Sequence, residues 1–392
     1  PPPPPAPPPP PPPPPAPPRA CLRDERGGVV SAADGPAGTG AGPLESATAP
    51  TDTRAHSGVI ERRRLGQTDV RVSRIGFGAA SLGNLYRETG DEEAAGAVAA
   101  AWEEGIRFFD TAPHYGLGLS ERRLGAALAA YPRDELVIST KVGRLLVPNP
   151  NPTGVDDGFV VPDDLTRAWD FSRDGVLQSL EGSLERLGTD RVDILFVHDP
   201  DAFSGGAARE ALVTLRELRD EGVVGAIGVG TNETHQLGEL FDERLIDVAM
   251  LAGRYTLLEQ PGLDAVLEPA RRSGASVIAV GVYNSGLLST PRPGTDAVYN
   301  YLPAPPEVLE RVHRIAELCE RHGVTLPDAA LAFPLQHPAV AGIALGMRNA
   351  AQVHDNLRRA SVAVPDELWR DLAEHRLIDP RSFTTDHQED PK

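Results

Sequence analysis

The sequence predicts a (β/α)8 barrel, and three observations carry that expectation. From about residue 75, short apolar runs alternate with amphipathic stretches, giving eight strand-like segments, each followed by a helix-like one. Three of the apolar runs stop abruptly at a titratable residue: 106–109 at Asp110, 136–140 at Lys141 and 192–197 at His198. No Gly-x-Gly-x-x-Gly follows any strand, which counts against the competing architecture, a doubly wound open sheet.

Taken in order, residues 1–18 are proline with two alanines, and 19–57 are rich in Gly, Ala, Ser, Thr and Pro. Neither stretch offers enough apolar surface to offset ordering entropy, so 1–58 reads as a disordered Pro-rich extension. A ligand for a proline-binding module is the functional alternative. Polar–apolar alternation around a turn at 66–69 predicts an N-terminal β-hairpin that leads into a first strand at 75–78. A helix at 91–104 follows, with Asp91 as its N-cap and Gly105 as its stop. A strand at 106–109, a helix at 120–130 and a strand at 136–140 continue the series. After Lys141 the pattern lapses for some thirty residues, to Trp169, which marks a functional or disordered loop. Alternation then resumes with helix 174–187, strand 192–197, helix 207–221, strand 225–229, helix 234–241, strand 246–251, helix 262–272 and strand 276–280. Helical stretches at 306–322 and 327–336, a strand at 340–345 and a helix at 349–360 complete it, with a C-terminal helix at 366–375. The barrel is therefore placed at 59–380, with a flexible tail at 381–392.

Composition narrows the function classes. The chain has 392 residues, 40% of them hydrophobic and 24% charged, and a formal net charge of -18. Such acidity disfavours nucleic acid or an anionic membrane as partner, because both select basic surfaces. Cys21 and Cys319 lie far apart in unlike contexts, so neither a disulfide framework nor a cysteine metal site is expected. No apolar run approaches the ~18 residues of a membrane span, and the N-terminus lacks the regions of a secretory signal. A cytoplasmic protein acting on a small molecule without a metal is expected.

A strand that fills a barrel core and ends in a titratable residue presents that residue at the mouth, where barrel enzymes hold their sites. Asp110, Lys141 and His198 would meet there, joined by Tyr115 from the segment IRFFDTAPHYG, 106–116. An acid, an ammonium, an imidazole and a phenol fit carbonyl–alcohol interconversion, the reaction that the family resemblance below implies. Hydride addition to a carbonyl leaves an alkoxide that must be protonated as it forms. A free tyrosine, with a pKa near ~10, exchanges protons poorly at neutral pH. Lys141 is expected to lower that value, with Asp110 holding the lysine charged. His198 would donate a hydrogen bond to the substrate oxygen. His114 is expected to line the substrate pocket or to be solvated, and Trp169, beside Asp170 and Phe171, to line that pocket or to pack into the barrel wall. Aromatic and polar groups together suit a sugar.

DTAPHYG, then SERRLG, STK and FVH, in order on successive strands, resemble the aldo-keto reductase superfamily over about residues 63–372. DTAPHYGLGLSERRLG and LAGRYTLLEQ resemble its branch of bacterial D-threo-aldose (L-fucose) dehydrogenases and pyridoxal 4-dehydrogenases. The resemblance implies a barrel that binds NADP or NAD without a Rossmann fold and oxidises an aldose such as L-fucose at C1. Pyridoxal oxidation, or a nucleotide-binding regulatory barrel with little catalysis, are the alternatives. It also implies the cofactor contacts. Gly78 lies at the first strand tip, Asn232 would meet the carboxamide, and Tyr283 would stack on the nicotinamide if its loop is shifted. The Ser285, Gly286 and Leu287 backbone would cradle the pyrophosphate. Gly346, Arg348, Gln352 and Asn356 would take the adenosine end at the start of the last barrel helix, with Arg348 reaching a 2′-phosphate. Two departures stand out: Ala252 where the family carries Gln, and Val280 where it carries an aromatic residue.

Overall fold

The structure is a computed structural model that describes residues 60–383, apart from 157, 203–205 and 301. The expected extension at 1–58 lies outside the described residues, as do residues 384–392. The chain opens with β1 (Arg62–Arg64) paired antiparallel with β2 (Arg71–Ser73). Then come β3 (Ile75–Gly78), α1 (Asp91–Glu103), β4 (Phe108–Asp110), α2 (Leu119–Leu128) and β5 (Val137–Val142). A second antiparallel hairpin, β6 (Arg144–Pro148) with β7 (Leu165–Trp169), precedes α3 (Arg173–Leu187). Next are β8 (Ile194–His198), α4 (Ala207–Asp220), β9 (Ala226–Thr231), α5 (His235–Asp242), β10 (Val248–Ala252), α6 (Glu268–Ser273) and β11 (Ser276–Val280). A short pair, β12 (Val298–Tyr299) and β13 (Leu302–Pro303), leads to α7 (Pro306–Arg321) and α8 (Leu326–Ala332). The chain finishes with β14 (Val340–Gly346), α9 (Ala350–Ala360) and α10 (Asp366–Glu374).

Strands β3, β4, β5, β8, β9, β10, β11 and β14 close a barrel in that order, each parallel to its neighbour. This is the expected (β/α)8 architecture. Its strands read as continuous apolar runs because both of their faces are covered, inside by other strands and outside by helices. Leu65 and Val72 of the first hairpin share a buried cluster with Phe108, Ile194, Ala226 and Val248. Those four residues open β4, β8, β9 and β10, so the hairpin closes the barrel at the N-terminal ends of its strands and leaves the C-terminal mouth open. No helix among the described residues is long and apolar enough to cross a membrane.

Three expectations are corrected. Asp91 does not cap α1: Gly90 holds the cap position, and Asp91, Glu92 and Glu93 form an acidic first turn, which suits the helix dipole. The thirty-residue lapse is largely the β6–β7 hairpin, whose residues are mostly half-buried and so lack a clean apolar pattern. The tail does not begin at 381, because Pro380–Ser382 form a 3-10 turn and Ser382 O accepts from Tyr255 Oη at 3.1 Å.

The loop that carries Tyr115 is fixed from three sides. Ser120 Oγ donates to Ala79 O at 2.7 Å and lies 2.9 Å from Thr111 Oγ1. Glu121, fully buried, accepts from Thr140 Oγ1 at 2.7 Å and from Arg186 Nε at 2.6 Å. Backbone meets backbone between Gly83 and Gly116, since a Cβ on Gly83 would come within 2.7 Å of Tyr115 O. Gly116 also has φ 61°. Gly116→Ala therefore combines left-handed strain with overpacking, and is expected to lower unfolding stability by at least about 2 kcal/mol in urea denaturation.

Candidate active site

Strand register brings the acid and the amine together. Gly78 pairs with Asp110, and Asp110 with Ser139. Lys141, two residues further along β5, therefore faces the same way as Ser139. Lys141 Nζ donates to Asp110 Oδ1 at 2.9 Å, to Asp110 Oδ2 at 2.8 Å and to Thr111 O at 2.8 Å. Ser139 Oγ adds a bond to Asp110 Oδ1 at 2.7 Å. Lys141 is 2% exposed and Asp110 4%. Burial alone would lower the lysine's pKa. Asp110 and Tyr115 overcome that pull and raise its pKa above the ordinary 10.5, so the ammonium persists.

Tyr115 lies against this ammonium, with Lys141 Nζ 4.7 Å from its ring centre. The expected lowering of its pKa is only half the balance. Burial pushes the phenol up, Lys141 draws it down, and the net result is above 10. In this state Tyr115 is a neutral phenol, an acid ready to donate. Its conjugate base would form beside a fixed positive charge.

Two imidazoles complete the mouth. His198 ends β8, and its ring centre is 5.9 Å from that of Tyr115 and 5.6 Å from that of His114. Burial and then Lys141 and Arg144 hold His198 well below 6.5. Burial, Arg144, Arg167 and Lys141 bring His114 down to about 2. Both rings are therefore neutral. His198 Nδ1 is buried without a partner, so Nε2, 3.5 Å from Asp199 Oδ2, is the nitrogen that serves the mouth.

The β6–β7 hairpin folds over this site. Phe159, between its strands, stands 5.3 Å from His114 and 6.2 Å from Tyr115 and shares a buried cluster with Leu117 and Val161. Arg167 pairs with Asp156 and donates to His114 O at 2.8 Å. Trp169 packs among side chains, the second of the two readings that the sequence offered. Arg144 lies over its ring at 4.3 Å and Phe171 stacks at 5.7 Å, so Phe159 takes the place beside the imidazoles. Arg144, Asp199 and Phe159 gave little local signal. Asp199 sits next to a strand-tip histidine, which was the one clue, whereas Phe159 is placed by a bridge to Leu85, far away in sequence.

The cofactor residues divide. Asn284, Ser285 and Gly286 run at φ 46°, 59° and 91°. The N–H groups of Asn284, Leu287, Leu288 and Ser289 bond to carbonyls of the same turn, leaving those of Ser285 and Gly286 outside it. Such a concave turn fits a pyrophosphate. Gly78 and Gly346 pair at adjacent strand tips, and Asn232 is exposed just beyond β9, its carbonyl accepting from Arg254 Nε at 2.9 Å. Other expectations are redirected. Tyr283 Oη donates to Asn356 Oδ1 at 2.9 Å, so Tyr283 packs toward α9 instead of standing ready to stack on a nicotinamide. Gln352 Oε1 accepts from Arg348 N at 2.8 Å. Arg348 is 8% exposed and turned inward. Its guanidinium donates to Leu85 O at 2.6 Å, Arg87 O at 3.0 Å, Ser81 O at 3.4 Å and Thr89 Oγ1. The guanidinium is thus turned toward the loop between β3 and α1.

Residues 74–377 match the model of the Aldo/keto reductase family. The chain belongs to the aldo/keto reductase family. It is 47% identical, over 78% of its length and 95% of the relative's, to a D-threo-aldose 1-dehydrogenase of Pseudomonas sp. To a pyridoxal 4-dehydrogenase of Microbacterium luteolum it is 36% identical over 82% of the chain and 99% of that enzyme. The solved holo form of an aldo-keto reductase from Bacillus halodurans superposes with a TM-score of 0.64 at 25% identity, covering 84% of this chain and all of that one. As an aldo/keto reductase, the protein is an NAD(P)-dependent oxidoreductase that interconverts carbonyl and alcohol.

Two substitutions test the site. Tyr115→Phe is expected to lower turnover at least ~100-fold while cofactor affinity, measured by fluorescence titration, changes only a few-fold. Arg348→Ala is expected to lower the melting temperature and to raise substrate KM, with the ratio of NADP to NAD dissociation constants moving less than about threefold. A tenfold weakening confined to NADP would restore the arginine to a phosphate.

Proposed function

We propose that the protein oxidises an aldose at C1, taking the cyclic hemiacetal to its lactone, with NAD as the preferred acceptor. The observation that carries this reading is the 47% identity across 95% of the D-threo-aldose 1-dehydrogenase. The mouth supports it, since an aromatic wall, Phe159, stands against His114, and Arg144 and Asp199 pair beside His198. A sugar offers the matching surface, a rim of hydroxyls around apolar C–H faces. Pyridoxal is the second reading. It is favoured by the 36% identity to the pyridoxal 4-dehydrogenase and by the apolar cluster of Phe159, Leu117 and Val161, on which an aromatic ring can lie.

When bound, NAD(P) supplies the hydride acceptor. The chain supplies the rest. The phenolate of Tyr115 takes the proton of the C1 hydroxyl, and Lys141, kept charged by Asp110, stabilises that phenolate. His198, neutral, donates from Nε2 to the same oxygen and orients it. In reduction the Tyr115 phenol returns the proton. The preference for NAD is supported by Arg348, whose guanidinium is committed to the loop between β3 and α1. The free thiol of Cys319, buried in α7, suits the reducing cytoplasm in which we place this chemistry.

The test is a rate screen of purified protein with NAD and NADP against L-fucose, D-arabinose, L-galactose and pyridoxal. A sugar is expected to have the highest kcat/KM, and a preference for pyridoxal would select the second reading. The pH profile is fixed in sign. Tyr115 must lose its proton to act as base and its pKa lies above 10, so oxidation should rise about tenfold per pH unit through neutrality. With both histidines held neutral, no inflection is expected near 6.5.

A further inference from the structure

Asp199 follows His198 at the tip of β8 in a left-handed conformation, φ 42°. Aspartate is one of the few residues with a Cβ that adopt this conformation readily, and it turns the chain sharply after the strand. A bond from Asp199 N to Gly230 O at 2.9 Å holds the turn in place. The carboxylate is thereby carried to His198, with Oδ2 3.5 Å from Nε2, where it also pairs with Arg144. Arg144 is fixed from the other side by Trp169, 4.3 Å beneath it. A strand-tip carboxylate and a hairpin arginine, from separate segments, thus meet beside the imidazole that would hold the reacting oxygen.

We infer that Arg144 and Asp199 form a specificity element that reads the hydroxyl next to the reacting carbon, O2 of an aldose. The inference rests on the aldose reading above. With the C1 oxygen at His198 Nε2, the C2 hydroxyl hangs from the neighbouring carbon, and Asp199 Oδ2, 3.5 Å from that nitrogen, is a carboxylate within its reach. Asp199 accepts from O2–H and Arg144 donates to the same oxygen, so one hydroxyl is bound in both senses. Inverting C2 turns a C–H bond toward the pair, and polar groups left without their partner discriminate strongly. The "threo" in the related dehydrogenase's name describes this kind of relation between neighbouring hydroxyls.

D-Arabinose and D-ribose differ only at C2, and they make the test. Steady-state kinetics with both sugars would be measured on the wild type, Asp199→Asn and Arg144→Met, alongside melting temperatures. The wild type is expected to prefer D-arabinose by at least about tenfold in kcat/KM, and each variant to lose at least about fivefold of that preference. A structural tie would slow both sugars alike, so an unchanged ratio in folded variants overturns the inference, as does a wild type indifferent to C2. Arg144→Lys, which keeps the charge but loses the planar fork, serves if Arg144→Met does not fold, and a reduced ratio is expected there too. A wild type that oxidises no aldose overturns the aldose reading and this inference together. One that oxidises aldoses, with C2 preference intact in Asp199→Asn, overturns only the inference.

Discussion

A buried lysine and a buried aspartate set the terms for this barrel. Taking two such ions out of water costs several kcal/mol each, and the cost is offset only by complete internal partnering. Lys141 Nζ has that partnering, with both oxygens of Asp110 and Thr111 O within 2.9 Å. The arrangement exists only in one register. A slip of one residue between β4 and β5 would turn Lys141 to the helix side and leave Asp110 charged, buried and alone. The chemistry at the mouth and the closure of the barrel are therefore enforced by the same contact. The tyrosine loop obeys a related constraint: Gly83 and Gly116 touch backbone to backbone, and Glu121 is locked between β5 and α3. Tyr115 is held at the ammonium by a scaffold with few ways to relax.

What the sequence made legible follows from burial. Strands covered on both faces must be apolar throughout, so their ends stand out wherever a titratable residue interrupts them. Asp110, Lys141 and His198 were visible for that reason, and the register brought them together. The β6–β7 hairpin is different. Its residues are half-buried, its pattern is broken by Pro, Asn, Gly and Asp, and it is placed by long-range bonds such as Val160 N to Asn84 O at 2.9 Å. Nothing within a local window announces such a partner. Arg348 poses a different difficulty. Its position before a helix suggested an anion, while its acceptors lie about 260 residues away in sequence, where no local pattern reaches.

Those acceptors join two regions that a motif treats as separate. Arg348 stands just ahead of α9, at the end of the barrel where adenosine is expected. Its guanidinium holds Leu85, Arg87 and Thr89. Thr89 N donates to Asn84 Oδ1 at 3.0 Å, and Asn84 Nδ2 donates to Val160 O at 2.9 Å, next to Phe159. Phe159 stands against His114 and Tyr115. A series of hydrogen bonds thus runs from the head of α9 to Val160, the chain neighbour of the aromatic wall. A ligand that drew Arg348 outward would have to break its bonds to this loop, and would loosen the wall on which a substrate rests. Tight binding of a 2′-phosphate by this arginine and a firm substrate wall therefore oppose one another. As observed, the guanidinium holds the wall.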